Sequence, residues 1–233
     1  MIKSRNVKFG DWVVVFICVI LIIVCLLPML NVLARSLSSA QALIKNQVLL
    51  WPVELNFDAY KTVLSDSKYT WSLAWTAILT VICTIVSMTM TIICAYPFVY
   101  DHLKGRRFLN SMIILTMYFN AGTIPHYILY KKLGLLDNPL VLIIPNCLSV
   151  FNMIIMRSFF YGIPASLRES AEIDGAGPIR ILLNIYIPLS TSVMATLSLF
   201  YAVGRWNGFS DALMYMINEK RYHPIQLLLY NIL

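Results

Sequence analysis

Glu169-Ser170-Ala171-Glu172-Ile173-Asp174-Gly175 is followed, ten residues after the glycine, by Ile185-Tyr186-Ile187-Pro188. The first stretch is a polar island in a chain of mostly apolar segments. It has a carboxylate-rich helical pattern, a glycine stop, and a fixed run to an apolar segment closed by proline. A chain built for a bilayer has little reason to hold such a segment unless something docks on it.

The surroundings set the solvent. Of 233 residues, 59% are hydrophobic and only 12% are charged, and the mean hydropathy is +0.75. A soluble domain carries about 25% charged residues. So large an apolar surplus cannot hide in one soluble core, which makes the bilayer the expected surroundings. The net charge of +7 fits Lys and Arg gathered in cytoplasmic loops. It does not point to nucleic acid, because no basic patch with interleaved aromatics stands clear of the apolar runs. Cys18, Cys25, Cys83, Cys94 and Cys147 all fall inside those runs, without CxxC spacing, and read as small buried hydrophobes. His102, His126 and His223 are scattered and form no metal-ligand pattern.

Crossing about 30 Å of hydrocarbon takes roughly 20 apolar residues in a helix. Five runs meet that need: 12–33, 71–96, 108–130, 140–156 and 181–203. Each must be helical, because an open sheet edge does not survive in lipid. The expected class is therefore all-α, a polytopic membrane protein with five transmembrane helices. Pro28, Pro125, Pro145 and Pro188 lie in or at the ends of these runs and are expected to bend or end them. The first run exceeds the apolar core of a cleaved signal peptide, about 7–15 residues, and reads as an uncleaved anchor.

With the N-terminus inside, the inner segments hold Lys3, Arg5, Lys8, Lys104, Arg106, Arg107, Arg157, Arg168 and Arg180. The outer segments hold an equal number of basic residues, spread over longer loops. The tight Lys104–Arg107 cluster favours a cytoplasmic N-terminus, and this places the island at 158–180 in the cytoplasm. In the long outer segment, Phe57-Asp58-Ala59-Tyr60-Lys61 suits a short amphipathic helix. Trp51 and Trp71 suit the interfacial belts.

Within the island, Pro164 fits the start of a helix that runs to about Asp174. Gly175 then supplies a left-handed stop, and Gly177-Pro178 starts a second helix leading into the fifth run. Leu167, Ala171 and Asp174 share one face, and Glu169 and Glu172 another. Arg168, one residue before Glu169, is not expected to face it. Composition alone fits a solvated linker equally well; the spacing favours a docking unit.

That spacing resembles the EAA loop of bacterial ABC importer permeases: Glu-Ala-Ala, three residues, Gly, nine residues, Ile, any residue, Leu, Pro. Here it falls on Glu169, Ser170, Ala171, Gly175, Ile185, Ile187 and Pro188. Ser170 replaces the first alanine and Ile187 the leucine. The Asp174-Gly175-Ala176 triplet is similar to the form of the carbohydrate-uptake branch. Phe119-Asn120-Ala121-Gly122-Thr123-Ile124-Pro125, Leu133-Gly134-Leu135-Leu136-Asp137-Asn138, Met156-Arg157-Ser158-Phe159-Phe160 and Ala202-Val203-Gly204-Arg205-Trp206-Asn207 also resemble oligosaccharide permeases. They look most like the branch holding the maltose-type second subunit and LplC-type polysaccharide permeases.

The resemblance implies a MetI-like type I ABC importer permease fold in a bacterial cytoplasmic membrane. It also implies a sixth span. The chain stops at Leu233, soon after Pro224-Ile225-Gln226-Leu227, so on this reading it is a fragment or lacks the last helix. The implied coupling residues are Glu169, Ser170, Ala171, Asp174, Gly175, Ala176, Ile185 and Pro188. The implied partners are two ABC ATPase subunits, a second related permease forming a heterodimer, an extracytoplasmic sugar-binding protein and membrane lipid. No cofactor is expected in this chain. It holds no GxxxxGK[ST] pattern, so ATP and Mg²⁺ fall to the ATPase subunits and no catalysis is expected here.

Asn120, Asn152, Trp206 and Asn207 are the candidates for sugar contact, since amides bond hydroxyls and aromatics stack on sugar faces. Interhelical hydrogen bonding or interface anchoring is the plainer role for each. Arg205, near a span end, reads as a snorkelling side chain. The competing readings are a same-family permease for amino acids, peptides or metals, and an intramembrane enzyme. The enzyme would need acidic or nucleophilic clusters inside the spans, whereas the acidic residues lie in loops.

Overall fold

The two longest apolar runs become the two longest helices. A computed structural model of the chain describes residues 9–100 and 103–232. In it α1 spans Phe9–Ser36 and α4 spans Ser67–Ala95. Lys3, Arg5, Lys8 and His102 lie outside the described residues. Pro28 sits inside α1 without ending it. Some hydroxyls of α4 answer to their own helix: Thr76, Thr80 and Thr84 each donate to the carbonyl four residues back, at 2.6–2.7 Å. The buried Ser87 and Thr91 reach out of it, Ser87 donating to the Asn146 carbonyl at 3.4 Å and Thr91 pairing with the Tyr201 hydroxyl.

The described residues form two compact units, the first ending at Thr70 and the second starting at Trp71. The first holds α1, α2 (Ala40–Ile44) and α3 (Asp58–Ser65). Its small core is Ala34, Ala42 and Val48. The Ser38 hydroxyl donates to the Ala34 carbonyl and accepts from the Val53 amide, which ties the loop after α2 to the end of α1. The short helix read at Phe57–Lys61 is α3, with no buried residue.

The second unit continues through α5 (Arg106–Tyr118), α6 (Thr123–Lys132), α7 (Val150–Tyr161), α8 (Ala165–Ile173), α9 (Pro178–Ile181), α10 (Ile187–Leu189), α11 (Thr191–Asn207), α12 (Ser210–Tyr215) and α13 (Ile225–Tyr230). No strand occurs among the described residues. One core joins Met153, Met156 and Phe160 of α7 to Tyr96, Ile181, Tyr186 and Leu197. A second joins Leu79 and Cys83 of α4 to Val141, Leu142, Met216 and Leu227.

The apolar runs are more broken than hydropathy alone suggests. Among the described residues, two helices are long and apolar enough to cross a membrane. Up to four spans result if two bent pairs count as one each: α7 with α8, bent by 72°, and Pro178–Leu189 with α11, bent by 83°. The run at 108–130 is two helices, because Gly122 takes φ 86° and the Asn120 side chain accepts its amide at 2.8 Å. The run at 140–156 opens as a 3₁₀ turn, Pro139–Leu142, and becomes regular only at Val150. The run at 181–203 begins in a π-turn, Leu182–Tyr186, just before Pro188. Proline has no N–H to give the preceding turn, and a widened turn accommodates it. Cys18 and Cys25 are exposed rather than buried, because α1 enters a core only near its end, at Ala34.

Candidate functional site

The island folds into a closed elbow. Pro164 precedes α8, and α8 ends where Gly175 takes φ 78°, the left-handed conformation a side chain disfavours by roughly 1–2 kcal/mol. The Gly175 amide donates to the Glu172 carbonyl at 3.0 Å, and the Ala176 amide to the Ala171 carbonyl at 2.9 Å. Those two bonds are the Schellman termination, which satisfies carbonyls that a helix end leaves open. Ala171 and Ala176 both pack on the Phe160–Tyr186 core, so the turn is pinned from inside.

The outer surface of the elbow is bare. Glu169, Ser170, Asp174 and Gly175 are exposed. So are two large apolar side chains, Ile173 at 87% and Ile179 at 74%. A Cβ added at Gly175 would meet nothing within 4 Å, so open space surrounds that turn. Ile185 is half-buried, and Pro188 is exposed behind it.

Arg168 is the residue sequence reasoning underrated. Its side chain is only 12% exposed. It reaches Glu169 at 3.7 Å and Glu172 at 3.6 Å, donates to the Val99 carbonyl at 3.3 Å, and lies over the Tyr100 ring at 5.1 Å. Adjacent helical residues diverge, but a guanidinium on three methylenes curls back far enough to meet both carboxylates. The i, i+4 spacing of Arg168 and Glu172 was the available signal. Arg168 thereby fastens α8 to the segment that follows α4. Beneath it, Tyr96, Phe160 and Tyr186 meet edge-on, with centroids 5.3–6.4 Å apart, and the Tyr96 hydroxyl donates to the Pro178 carbonyl at 2.9 Å. Such aromatic pairs add about 0.5–1.5 kcal/mol each beyond burial. The elbow is therefore packed and hydrogen-bonded to α7 and to the segment that follows α4.

The second candidate region is a cavity of about 810 Å³ with a polar lining. Asn120 reaches it from the turn between α5 and α6, and Asn146 and Ser149 from the irregular stretch before α7. Asn152 of α7 and Tyr201 of α11 complete that wall. The Tyr201 hydroxyl accepts the Ser149 amide at 3.1 Å and pairs with Thr91 at 2.7 Å. Two of the four expected contact residues, Asn120 and Asn152, therefore share one cavity. Trp206 and Asn207 do not; they line a smaller space beside Thr80, Ala202 and Val203. The helical period explains the split. Tyr201, Gly204, Arg205 and Gly208 fall on one side of α11, and Trp206 and Asn207 are turned away from it.

Arg205 does not snorkel. Its side chain is 8% exposed and is paired with Asp211, itself 15% exposed. The guanidinium also donates to the Gly208 carbonyl at 3.1 Å and the Leu142 carbonyl at 3.3 Å. The pair sits in the cavity wall with its charge internally balanced. Gly204 and Gly208 line the same wall, and a Cβ at Gly208 would press to 3.1 Å on the Gly204 carbonyl. Among the described residues no group of His, Cys, Asp or Glu could hold a metal ion. His126 bonds the Gly122 carbonyl, and His223 the Met216 carbonyl.

A Bacillus subtilis protein, LplC, is 40% identical over 206 residues, covering 88% of this chain and 70% of its own. A Bacillus subtilis polygalacturonan/rhamnogalacturonan transport system permease, YtcP, is 39% identical, covering 89% of this chain and 72% of its own. In the crystal structure of a bacterial ABC transporter involved in the import of the acidic polysaccharide alginate, one chain superposes with a TM-score of 0.90 at 34% identity. That match covers 98% of this chain and 82% of the other. The family model for the binding-protein-dependent transport system inner membrane component matches residues 74–232. The chain belongs to that family of membrane transport permeases, and its fold is the MetI-like permease fold.

Proposed function

We propose that this chain is one permease subunit of an importer for oligosaccharides or polysaccharide fragments, driven by separate ATPase subunits. The elbow carries the reading: an exposed surface of Glu169, Ile173, Asp174 and Ile179 on a turn clamped from inside by Arg168 and the aromatic core. Exposed isoleucines beside carboxylates suit a protein partner better than water. On this reading α8 and the Gly175 turn seat in a cleft of the ATPase subunit. When two ATPases close on ATP, the elbow carries α7 and the end of α4 between inward- and outward-facing packings. Glu169 meets a basic group of the ATPase. The 158–180 loop and the N-terminus face the cytoplasm. A second, related permease completes the path, and an extracytoplasmic binding protein delivers the sugar.

Sugar as cargo is supported by relatives that move polygalacturonan/rhamnogalacturonan and alginate. The amide- and hydroxyl-rich cavity wall supports it too. Asn120 and Asn152 are the contacts to test there, and Trp206 and Asn207, exposed on another side of α11, lie apart from it. The test is ATPase rate in lipid vesicles holding both permeases, the ATPase subunits and the binding protein, against a panel of oligosaccharides, amino acids and peptides. Stimulation by one sugar class supports the reading. A response to another solute, with none to sugars, keeps the transporter and overturns the cargo.

A further inference from the structure

The helix that links the polar cavity to the elbow is α7. Its 12 residues make a rod of about 18 Å. At one end Ser149 and Asn152 line the cavity, and at the other Phe160 sits in the core beneath the elbow. Between them, Met153 and Met156 share one apolar cluster with Met88 and Ile92 of α4 and Leu197 of α11. Apolar contacts are not directional, and methionine adapts its shape, so this face tolerates a shift of α7.

A directional tie stands at the cavity end. The Tyr201 hydroxyl of α11 accepts the Ser149 amide at 3.1 Å and pairs with the Thr91 hydroxyl of α4 at 2.7 Å. Ser149 in turn caps α7, its Oγ accepting the Asn152 amide at 3.4 Å. Three elements thus meet at one oxygen, beside the turn that carries Asn152.

This tie has a second position within reach. Thr76, Thr80, Thr84 and Thr89 of α4 each donate to the carbonyl four residues back. Thr91, fully buried, is turned to Tyr201 instead. A helical threonine divides between two rotamers, and its hydroxyl can bond the preceding turn. Thr91 can therefore release Tyr201 and keep a partner, the Ser87 carbonyl. Ser149 and Tyr201 both line the cavity, where water or solute satisfies the groups they free.

We infer that Thr91, Tyr201 and Ser149 form a two-position latch on the cavity end of α7, closed in this structure and opened when the elbow shifts. Opening frees the first turn of α7 and re-aims Asn152 in the cavity. Tyr201 is thus a positioning residue. The inference rests on the docking of the elbow on ATPase subunits proposed above, not on the identity of the cargo.

The test uses both permeases and the ATPase subunits in lipid vesicles, without sugar, and reads amide hydrogen exchange in 149–152 and in 165–176. One sample is free of nucleotide. The other is trapped with ATP, Mg²⁺ and orthovanadate, a transition-state analogue that holds the ATPases closed. In the wild type, trapping should change exchange in 165–176 and speed it in 149–152 by about fivefold, the worth of one net hydrogen bond. In Tyr201→Phe, exchange in 149–152 should already be about fivefold faster without nucleotide. Trapping should then add nothing there, while 165–176 responds as in the wild type. Thr91→Val, which leaves the Ser149 bond, should retain a reduced response in 149–152. A response to trapping that survives intact in Tyr201→Phe would show a merely structural bond and overturn the inference. A wild type whose elbow responds while 149–152 does not would also overturn it. No response in 165–176 of the wild type would overturn the docking of the elbow, and the latch with it.

Discussion

The elbow and the polar cavity are built in opposite ways. The elbow closes within about thirty residues, from Phe160 to Pro188, and its bonds are mostly local: a short helix, a Schellman turn, a π-turn. The cavity draws residues from α4, the α5–α6 turn, α6, the stretch before α7, α7, α11 and α12. Its strongest bond, Arg205 to Asp211, crosses a helix end. On the proposed function the elbow would transmit force, for which local, redundant closure is suited, and the cavity would accept a solute between two packings, for which walls on separate elements are suited.

The contrast can be broken most severely in the cavity wall. Removing one partner of a mostly buried ion pair strands the other charge, at about 3–5 kcal/mol. Asp211→Ala should therefore lower the thermal midpoint strongly, and Arg205→Met with Asp211→Leu should recover most of the loss. A midpoint unmoved by Asp211→Ala would mean the wall does not depend on the pair. In the elbow, Phe160 is fully buried, and Phe160→Ala should cost about 3 kcal/mol. Hydrogen exchange should then rise in 165–176 more than in 139–149; the reverse order would show that the elbow does not rest on this core.

A finer comparison uses two copies of one motif. Gly134 ends α6 as Gly175 ends α8: φ 67°, the Gly134 amide on the Lys131 carbonyl, the Leu135 amide on the Tyr130 carbonyl. Neither glycine has a neighbour within 4 Å of an added Cβ. Alanine at either should cost about 1 kcal/mol of backbone strain, read from the thermal midpoint. Only the Gly175 variant should lower transport per ATP. Equal transport losses would show that strain alone accounts for the effect.

The smallest effect is a pH dependence. Asp137 accepts the Asn218 amide and side chain at 2.7 Å each, and the Asn218 amide holds its carboxyl below the ordinary carboxylate range. A lowered folded value stabilises above the unfolded one and is lost as pH falls through the folded one. Protection of the Asn218 amide, relative to its intrinsic exchange rate, should therefore be constant from neutral pH to about pH 5 and fall only below the ordinary carboxylate value. A loss of protection already near pH 6 would contradict it.

These regions were not equally legible in the sequence. The helix, its glycine stop and its restart at Pro178 are local patterns and could be read from spacing. Arg168 was visible only as an i, i+4 partner of Glu172, because its contacts with Val99 and Tyr100 need the fold. Asn120 was noticed as a polar residue in an apolar run, yet its turn with Gly122 was lost in averaged hydropathy, so two helices read as one span. The Arg205–Asp211 pair is six residues apart, and only the break at Gly208 lets the two meet. Trp206 and Asn207 shared the polarity of a binding wall but not its side of the helix.

On the proposed function the elbow transmits ATPase closure without taking part in recognition. That division is tested most directly by Gly175→Pro, which cannot adopt φ 78°. In reconstituted vesicles, sugar uptake and ATP hydrolysis would be measured together for the wild type and for this variant, with Glu169→Lys as a second probe of the same surface. The account predicts retained basal hydrolysis, little uptake, and unchanged binding of sugar-loaded binding protein. Normal uptake per ATP in Gly175→Pro would contradict it.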